Sequence, residues 1–238
     1  RALQGAEAVH GPTHPVVADR LQELGSALGA SGDIDRAREL FRRALSIREA
    51  TGGSQDVATA ACHHELAQTL EAGGQSDPAR QHYEKALAIQ RATLGPKDPT
   101  TAITLNNLGF LLKRLGHLEE ARSHCQAALT VFEKALGPRH LGTAAVLTNL
   151  GAVLLAMGDT RGARTHQERA LKIRTEGLGA RHPETAASLN NLGRVWEALG
   201  ETAKARGHYH KALSIYEDTV GHGHLLTAAT LDNLGGLL

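Results

Sequence analysis

Aromatic side chains are scarce in this chain: three phenylalanines, three tyrosines and one tryptophan make up 3% of its 238 residues. So few rings cannot supply the successive stacking platforms that single-stranded nucleic acids require. An excess of either charge is missing too. Twenty-six lysines and arginines face 25 aspartates and glutamates, a formal net charge of +1, which lacks the basic surplus of a polyanion-binding module, and no nucleic-acid partner is expected. Cysteine occurs only at Cys62 and Cys125; a structural disulfide is not indicated, and a reducing, cytoplasmic setting is the expectation. No apolar run approaches the roughly 18 residues of a membrane span, and no leader-like segment is seen, so no membrane partner is expected. The signatures of common chemistries are also wanting. No Gly-x4-Gly-Lys-Ser/Thr loop occurs, no Gly-x-Ser-x-Gly elbow occurs, and His64-Glu65 is followed by Gln68 where a zinc hydrolase needs a second histidine. The chain is not expected to be an enzyme, to hold a cofactor or to bind a metal ion.

What the sequence does have is a period of 42 residues without insertion or deletion. Gly32, Gly74, Gly116, Gly158 and Gly200 are spaced by it, as are Ala37, Ala79, Ala121, Ala163 and Ala205. Arg38, Arg80, Arg122, Arg164 and Arg206 form a third ladder, and Leu45, Leu87, Leu129, Leu171 and Leu213 a fourth. A repeat of this size implies a solenoid, in which each unit buries its apolar face against its neighbours.

The copy from Pro99 to His140 shows what the unit is. Asp98 is a helix N-cap and Pro99 suits the first helical position, where no amide is needed. Leu105, Leu108, Leu112 and Leu115 then recur at helical spacing, and Gly116 ends this helix A. Helix B follows from about Leu118 to Leu136 and presents Ala121, Cys125, Ala128, Leu129 and Val131. Gly25, Ala67, Gly109, Gly151, Gly193 and Gly235 share one helix A position, opposite the alanine ladder of helix B, so the two backbones are expected to approach closely. On this basis Gly151→Leu should disrupt the stack, while Arg164→Ala should be nearly silent.

The expected organisation is an end of helix B over 1–14, full repeats at 15–56, 57–98, 99–140, 141–182 and 183–224, and a last helix A over 225–238. Twelve helical segments result. Leu231, Leu234, Leu237 and Leu238 would leave an apolar seam, so association through the two ends is one expectation.

The run Leu105-Asn106-Asn107-Leu108-Gly109, followed by Gly116, Ala121 and Ala128, resembles the tetratricopeptide repeat signature. The spacing and the Leu-Gly-Pro link are similar to the kinesin light chain subtype. The resemblance implies an all-α, right-handed superhelical solenoid of antiparallel helix pairs, whose A helices line a concave groove for a peptide or protein partner. It also implies that Asn107, Asn149, Asn191 and Asn233 bond the ligand backbone; Glu23 and Glu65 replace them in the first two copies. As a sensing arm of a larger signalling protein, attached to a nucleotide-binding ATPase or a caspase-like protease, such an array would serve a second role.

The residues lead to the same face. Ile103, Asn106, Asn107, Phe110, Lys113 and Arg114 lie opposite the leucine stripe, and carboxamides can donate and accept at once, as an extended backbone demands. Asn190 and Arg194 occupy corresponding places in the fifth copy. An asparagine here can also be merely solvated, or tie one helix to the next. Asp19, Glu23, Glu65 and Glu71 make the first stretch acidic, Lys113 and Arg114 make the third copy basic, and Arg194 lies near Glu197. A ligand that is basic near the early copies and acidic near the middle would match.

The fourteen histidines divide into groups. His82, His124, His166 and His208 are one repeat apart, too widely spaced for one metal ion to collect, but would make the stack pH-sensitive if half-buried. His14, His140, His182 and His224 read as turn residues before helix A. His208, His210, His222 and His224 form a local cluster suited to adventitious metal at most.

Overall fold

The structure is a computed structural model that describes residues 2–237. Arg1 and Leu238 lie outside the described residues, and with them the outermost positions of segments 1–14 and 225–238 and the last leucine of the expected seam. The described residues form twelve α-helices and no strand: α1 (Ala2–His10), α2 (Pro15–Ala30), α3 (Ile34–Ala50), α4 (Val57–Ala72), α5 (Ser76–Thr93), α6 (Pro99–Arg114), α7 (Leu118–Ala135), α8 (Leu141–Ala156), α9 (Thr160–Leu178), α10 (Pro183–Ala198), α11 (Thr202–Thr219) and α12 (Leu225–Gly235). The even-numbered helices begin every 42 residues from Pro15, and are the A helices of the sequence reading; the odd-numbered helices from α3 are its B helices.

The chain divides into two compact units, residues 1–115 and 116–238. In the first, α2 packs on α3 and α4 on α5, while α3 and α5 also touch the A helix that follows each of them. In the second, α8 packs on α9 and α10 on α11, with α9 against α10 and α11 against α12.

Punctuation sets the helix boundaries. Asp56 and Asp98 cap α4 and α6, accepting from the amides of Thr59 at 2.6 Å and Thr100 at 2.8 Å. His140, His182 and His224 do the same for α8, α10 and α12 through Nδ1, at 3.0 to 3.2 Å, as His14 does for α2 at 3.3 Å. These link histidines are therefore N-caps, a role that needs a free lone pair on Nδ1. The glycines that follow the A helices, from Gly32 to Gly200, all have φ between 75° and 88°, the left-handed conformation that a side chain would strain.

A threonine ladder adds a second fixing point. Thr101, Thr143, Thr185 and Thr227 donate through Oγ1 to the carbonyls of Gly95, Gly137, Gly179 and Gly221 at 2.8 to 3.0 Å, and Thr59 does so to Gly53. Each bond pins the first turn of an A helix to the link before it. The same link carbonyls also accept from the backbone amides of Asp56, Asp98, His140, His182 and His224 at 3.2 to 3.4 Å, so both lone pairs are used.

In three pairs the small A-helix residue is met by a large side chain from helix B. Gly25 lies against the ring of Phe41, Gly151 against the amide of Gln167, and Gly193 against the ring of Tyr209. The alanine ladder from Ala37 to Ala205 is wholly buried. Not every arginine of its ladder is solvated, however. The Arg164 guanidinium sits 5.4 Å from the centre of the Trp196 ring, so Arg164→Ala removes a stacking contact and is not the silent substitution that the spacing suggested.

Two buried arginines brace the units. Arg174, 7% exposed on α9, donates through Nη1 to Thr148 Oγ1 of α8 at 2.9 Å and to Ser188 Oγ of α10 at 2.6 Å, and its Nε lies 3.3 Å from Glu184 Oε2. Arg48 on α3 reaches Asp19 Oδ1 at 2.7 Å and Gln22 Oε1 at 3.2 Å on α2. Periodicity could not reveal this position, because it holds Arg48, Gln90, Phe132, Arg174 and Tyr216 in successive copies. Arg174→Ala is expected to lower stability by about 2 kcal/mol, from the lost charged hydrogen bonds and the cavity left between three helices. Chemical denaturation of the two proteins measures it, and an unchanged midpoint would reject the brace.

Candidate functional site

The faces of the A helices carry the residues singled out from the sequence, in two sets. Asn106, Asn107, Phe110, Lys113 and Arg114 lie on α6 in the first unit. Asn149, Asn190, Asn191, Arg194 and Asn233 lie on α8, α10 and α12 in the second.

On α6 one residue is misplaced by the sequence reading. Asn106 is buried at 9% exposure, whereas Ile103 is exposed and Asn107 and Phe110 are partly so. Asn190, at the same position two copies on, stays partly exposed, so the burial belongs to this copy and to its pair of amides, Asn106 and Asn107. The two amides meet, Asn106 Nδ2 lying 3.4 Å from Asn107 Oδ1.

Two lateral hydrogen bonds, one in each unit, join neighbouring A helices at the same offset. Asn107 Nδ2 donates to His64 Nε2 at 3.3 Å, and Asn233 Nδ2 donates to Asn190 Oδ1 at 3.0 Å. Both bonds span 43 residues, one repeat and one position. A carboxamide committed to one such bond still has a second N–H and spare lone pairs. In the second unit Asn149, Asn190, Asn191 and Asn233 are all partly exposed, and Arg194 is fully so. This set keeps hydrogen-bonding capacity on the surface.

The alternating charge read along the copies is mostly internal. Arg114 Nη1 binds Glu71 Oε1 at 3.0 Å, again one repeat and one position away, so the basic end of α6 neutralises the acidic end of α4. Asp19 is held by Arg48 at 2.7 Å and Glu23 by Arg20 at 2.7 Å. Lys113 Nζ lies 4.9 Å over the Phe110 ring. Glu197 accepts from Tyr209 Oη at 2.7 Å. Of the acidic residues of the first stretch, Glu65 differs: Oε1 accepts from Ser26 Oγ at 3.2 Å, while Oε2 is buried with no partner. Burial raises its pKa above the usual carboxylate range.

The histidines of this region are packed rather than exposed. His63 Nδ1 is 2.9 Å from His82 Nδ1, and His64 Nδ1 is 2.9 Å from Thr104 Oγ1. Burial holds His63 and His64 down to about 4, and lowers His82, His166 and His208 as well. His82, His124, His166 and His208 are all half-buried. Among the described residues no three histidine, cysteine, aspartate or glutamate side chains converge as a metal site. Cys62 and Cys125 are buried free thiols, raised by burial to about 11 and about 12, which suppresses the reactive thiolate. Among the described residues no helix is long and apolar enough to cross a membrane.

Comparison with known proteins agrees with this architecture. Among curated protein sequences none matches the chain significantly. Two of the similar solved structures are BtubC (BKLC) from P. vanneervenii, with 27% identity, a TM-score of 0.75 and coverage of 94% of this chain and 90% of that one, and a Podosopora anserina protein described as a putative kinesin light chain with nearly identical TPR-like repeats, with 26% identity, a TM-score of 0.72 and coverage of 87% and 98%. A thermophilic TPR protein of Thermus thermophilus, TTC0263, at 23% identity and a TM-score of 0.64 over 91% of this chain and 98% of that one, shares the fold. The tetratricopeptide repeat family pattern matches residues 1–50, 21–92, 59–121, 100–176, 148–218 and 184–238, so that the whole length is covered. With its repeating helix pairs, the small-residue crossings between them and this match from end to end, the chain belongs to the tetratricopeptide repeat family.

Proposed function

We propose that the chain is a protein-interaction scaffold and that its A-helix faces hold an extended segment of a partner protein, without covalent chemistry. The observation that carries this reading is the row of partly exposed carboxamides on α8, α10 and α12: Asn149, Asn191 and Asn233, with Asn190 and Arg194 beside them. An extended peptide has unpaired N–H and C=O groups along both edges, and a carboxamide answers either. Asparagine is a mediocre helix former, so its recurrence at a surface position of successive A helices is accounted for by what it can bond. Part of that account is internal, since Asn233 ties α12 to α10 through Asn190.

A peptide-display selection against the whole chain, repeated with Asn149→Ala/Asn191→Ala, tests the proposal. A consensus peptide is expected from the parent. The double variant should bind it at least about tenfold more weakly, in line with two lost hydrogen bonds, while its helical melting curve is retained. Equal binding by the variant would make the asparagines structural and remove the groove reading.

A further inference from the structure

The A-helix face of the first unit contains a cavity of about 290 Å³ between α2 and α4, with a wall from the start of α3. Small side chains create it. Ser26, Gly29 and Ala30 line it, at positions where the third copy has Phe110, Lys113 and Arg114. Gly25 and the ring of Phe41 give it an apolar wall, and Glu65 lies along the opposite side. Glu65 also borders a more polar recess with Asp19, Arg20, Gln22 and Glu23, so the carboxylate stands where an apolar slot meets a polar mouth.

We infer that this cavity receives a basic side chain, lysine or arginine, from the bound partner segment, the alkyl stem lying along Gly25, Gly29 and Phe41 and the cationic head pairing with Glu65. The inference rests on the scaffold reading above. Three observations carry it. Among the described residues Glu65 forms no ion pair, although Asp19, Glu23 and Glu71 around it are each matched by an arginine. Its Oε2 is shut off from water without a hydrogen-bond partner, a costly state that a donor would relieve. Ser26 and Gln22 offer the carboxylate neutral hydrogen bonds and Arg48 acts on it from a distance, so a cationic donor in the slot would be its first direct charge partner, reached by turning the soft terminal torsion. Finally, the slot is walled mostly by apolar atoms, and basic side chains bury their stems in such places while their heads seek a charge. Glu65 occupies the ladder position held by Asn107, Asn149, Asn191 and Asn233 in later copies, so along one ligand a backbone contact would give way here to a side-chain contact.

The test is an NMR titration of the whole ¹⁵N-labelled chain with n-butylguanidinium and n-butylammonium chloride, against 1-butanol at matched ionic strength. At least one of the two cations should give saturable shifts at the amides of Gly25, Gly29 and Glu65, with a dissociation constant in the millimolar range that suits so small a probe. Glu65→Gln, which keeps the shape, should weaken it at least about tenfold. Ser26→Phe, which copies Phe110, should fill the slot and abolish it. Shifts that do not saturate, that 1-butanol reproduces, or that survive Glu65→Gln would overturn the inference. Cation-selective saturation alongside an empty display selection would keep this pocket and discard the groove. A display consensus with no cation binding would do the reverse.

Discussion

Gly193→Leu is expected to lower the melting temperature of the chain by roughly 6–12 °C, the largest loss we anticipate from a single substitution. Even a Cβ at this position would overlap the ring of Tyr209. Tyr209 has nowhere to go: it is fully buried and its hydroxyl is held by Glu197. Overpacking of a filled crossing costs about 3 kcal/mol, and for a chain of this length each kcal/mol moves the midpoint by about 2–4 °C. Gly151→Leu should also destabilise, because the Gln167 side chain in its way is buried and its Nε2 donates to the Thr148 carbonyl at 2.9 Å. Arg206→Ala, on the exposed side of helix B, is the matched control and should stay within about 0.5 kcal/mol. Thermal melts followed by circular dichroism decide the matter. Similar losses for Gly193→Leu and Arg206→Ala would mean that the crossing is not the tight point of the stack.

Acid should weaken the first unit well before its carboxylates are protonated. His63 and His64 are held near 4 by burial, against about 6.5 in an unfolded chain. The unfolded state therefore takes up protons first as pH falls. The stability that neutral His63 and His64 confer is complete above about pH 6.5 and is lost as pH drops from there toward 4. The contact of His63 with His82 sharpens this, because a proton on either ring repels one on the other. Glu65 acts in the opposite sense, since its raised pKa favours the folded state as pH falls, and it offsets part of the loss. At about 1.4 kcal/mol per pKa unit, His64 contributes up to roughly 3 kcal/mol, and His63 less, because part of its shift comes from His82 and Lys85 through a partly solvent-screened field. Melts at pH 7.5 and 5.0 in one ionic strength measure the effect. His64→Asn installs the residue found at the same position as Asn106 and Asn190, and should make the chain less sensitive to acid. An identical pH response in that variant would show that His64 is not buried as neutral imidazole.

The repeat made most of the fold legible. Helix A of each copy ends at a glycine because only the left-handed residue there releases the chain into helix B, and that glycine is visible in every copy. The threonine ladder of Thr59, Thr101, Thr143, Thr185 and Thr227 is as regular, but its meaning depends on a carbonyl six residues earlier in the link, which the letters alone do not reveal. The braces at Arg48 and Arg174 were illegible for the contrary reason: the position changes chemistry from copy to copy. The site was less readable than the fold. That Arg114 neutralises Glu71, and that Asn107 bonds His64, follows from how far one A helix is shifted along its neighbour, a quantity no spacing along a single helix contains. Asn106 is buried while Asn190, its counterpart two copies on, is partly exposed, a difference set by packing around each copy and not by the letters at that position.

The constant offset of the lateral bonds has a bearing on how such a protein can lengthen. Asn107 to His64 and Asn233 to Asn190 use the same step in different units, and Arg114 to Glu71 uses it with other chemistry. Every copy that makes such a bond carries one half of a joint whose other half lies in the copy before it. The joint is chemically specific to its place: a tandem duplicate of the copy that carries Arg114 would set that arginine one repeat and one position from Lys113, where Glu71 stands now, so lengthening the array there calls for a change of charge at the seam. Positions outside these joints differ between copies without such a constraint, as Ser26, Gln68, Phe110, Ala152 and Arg194 do at one of them.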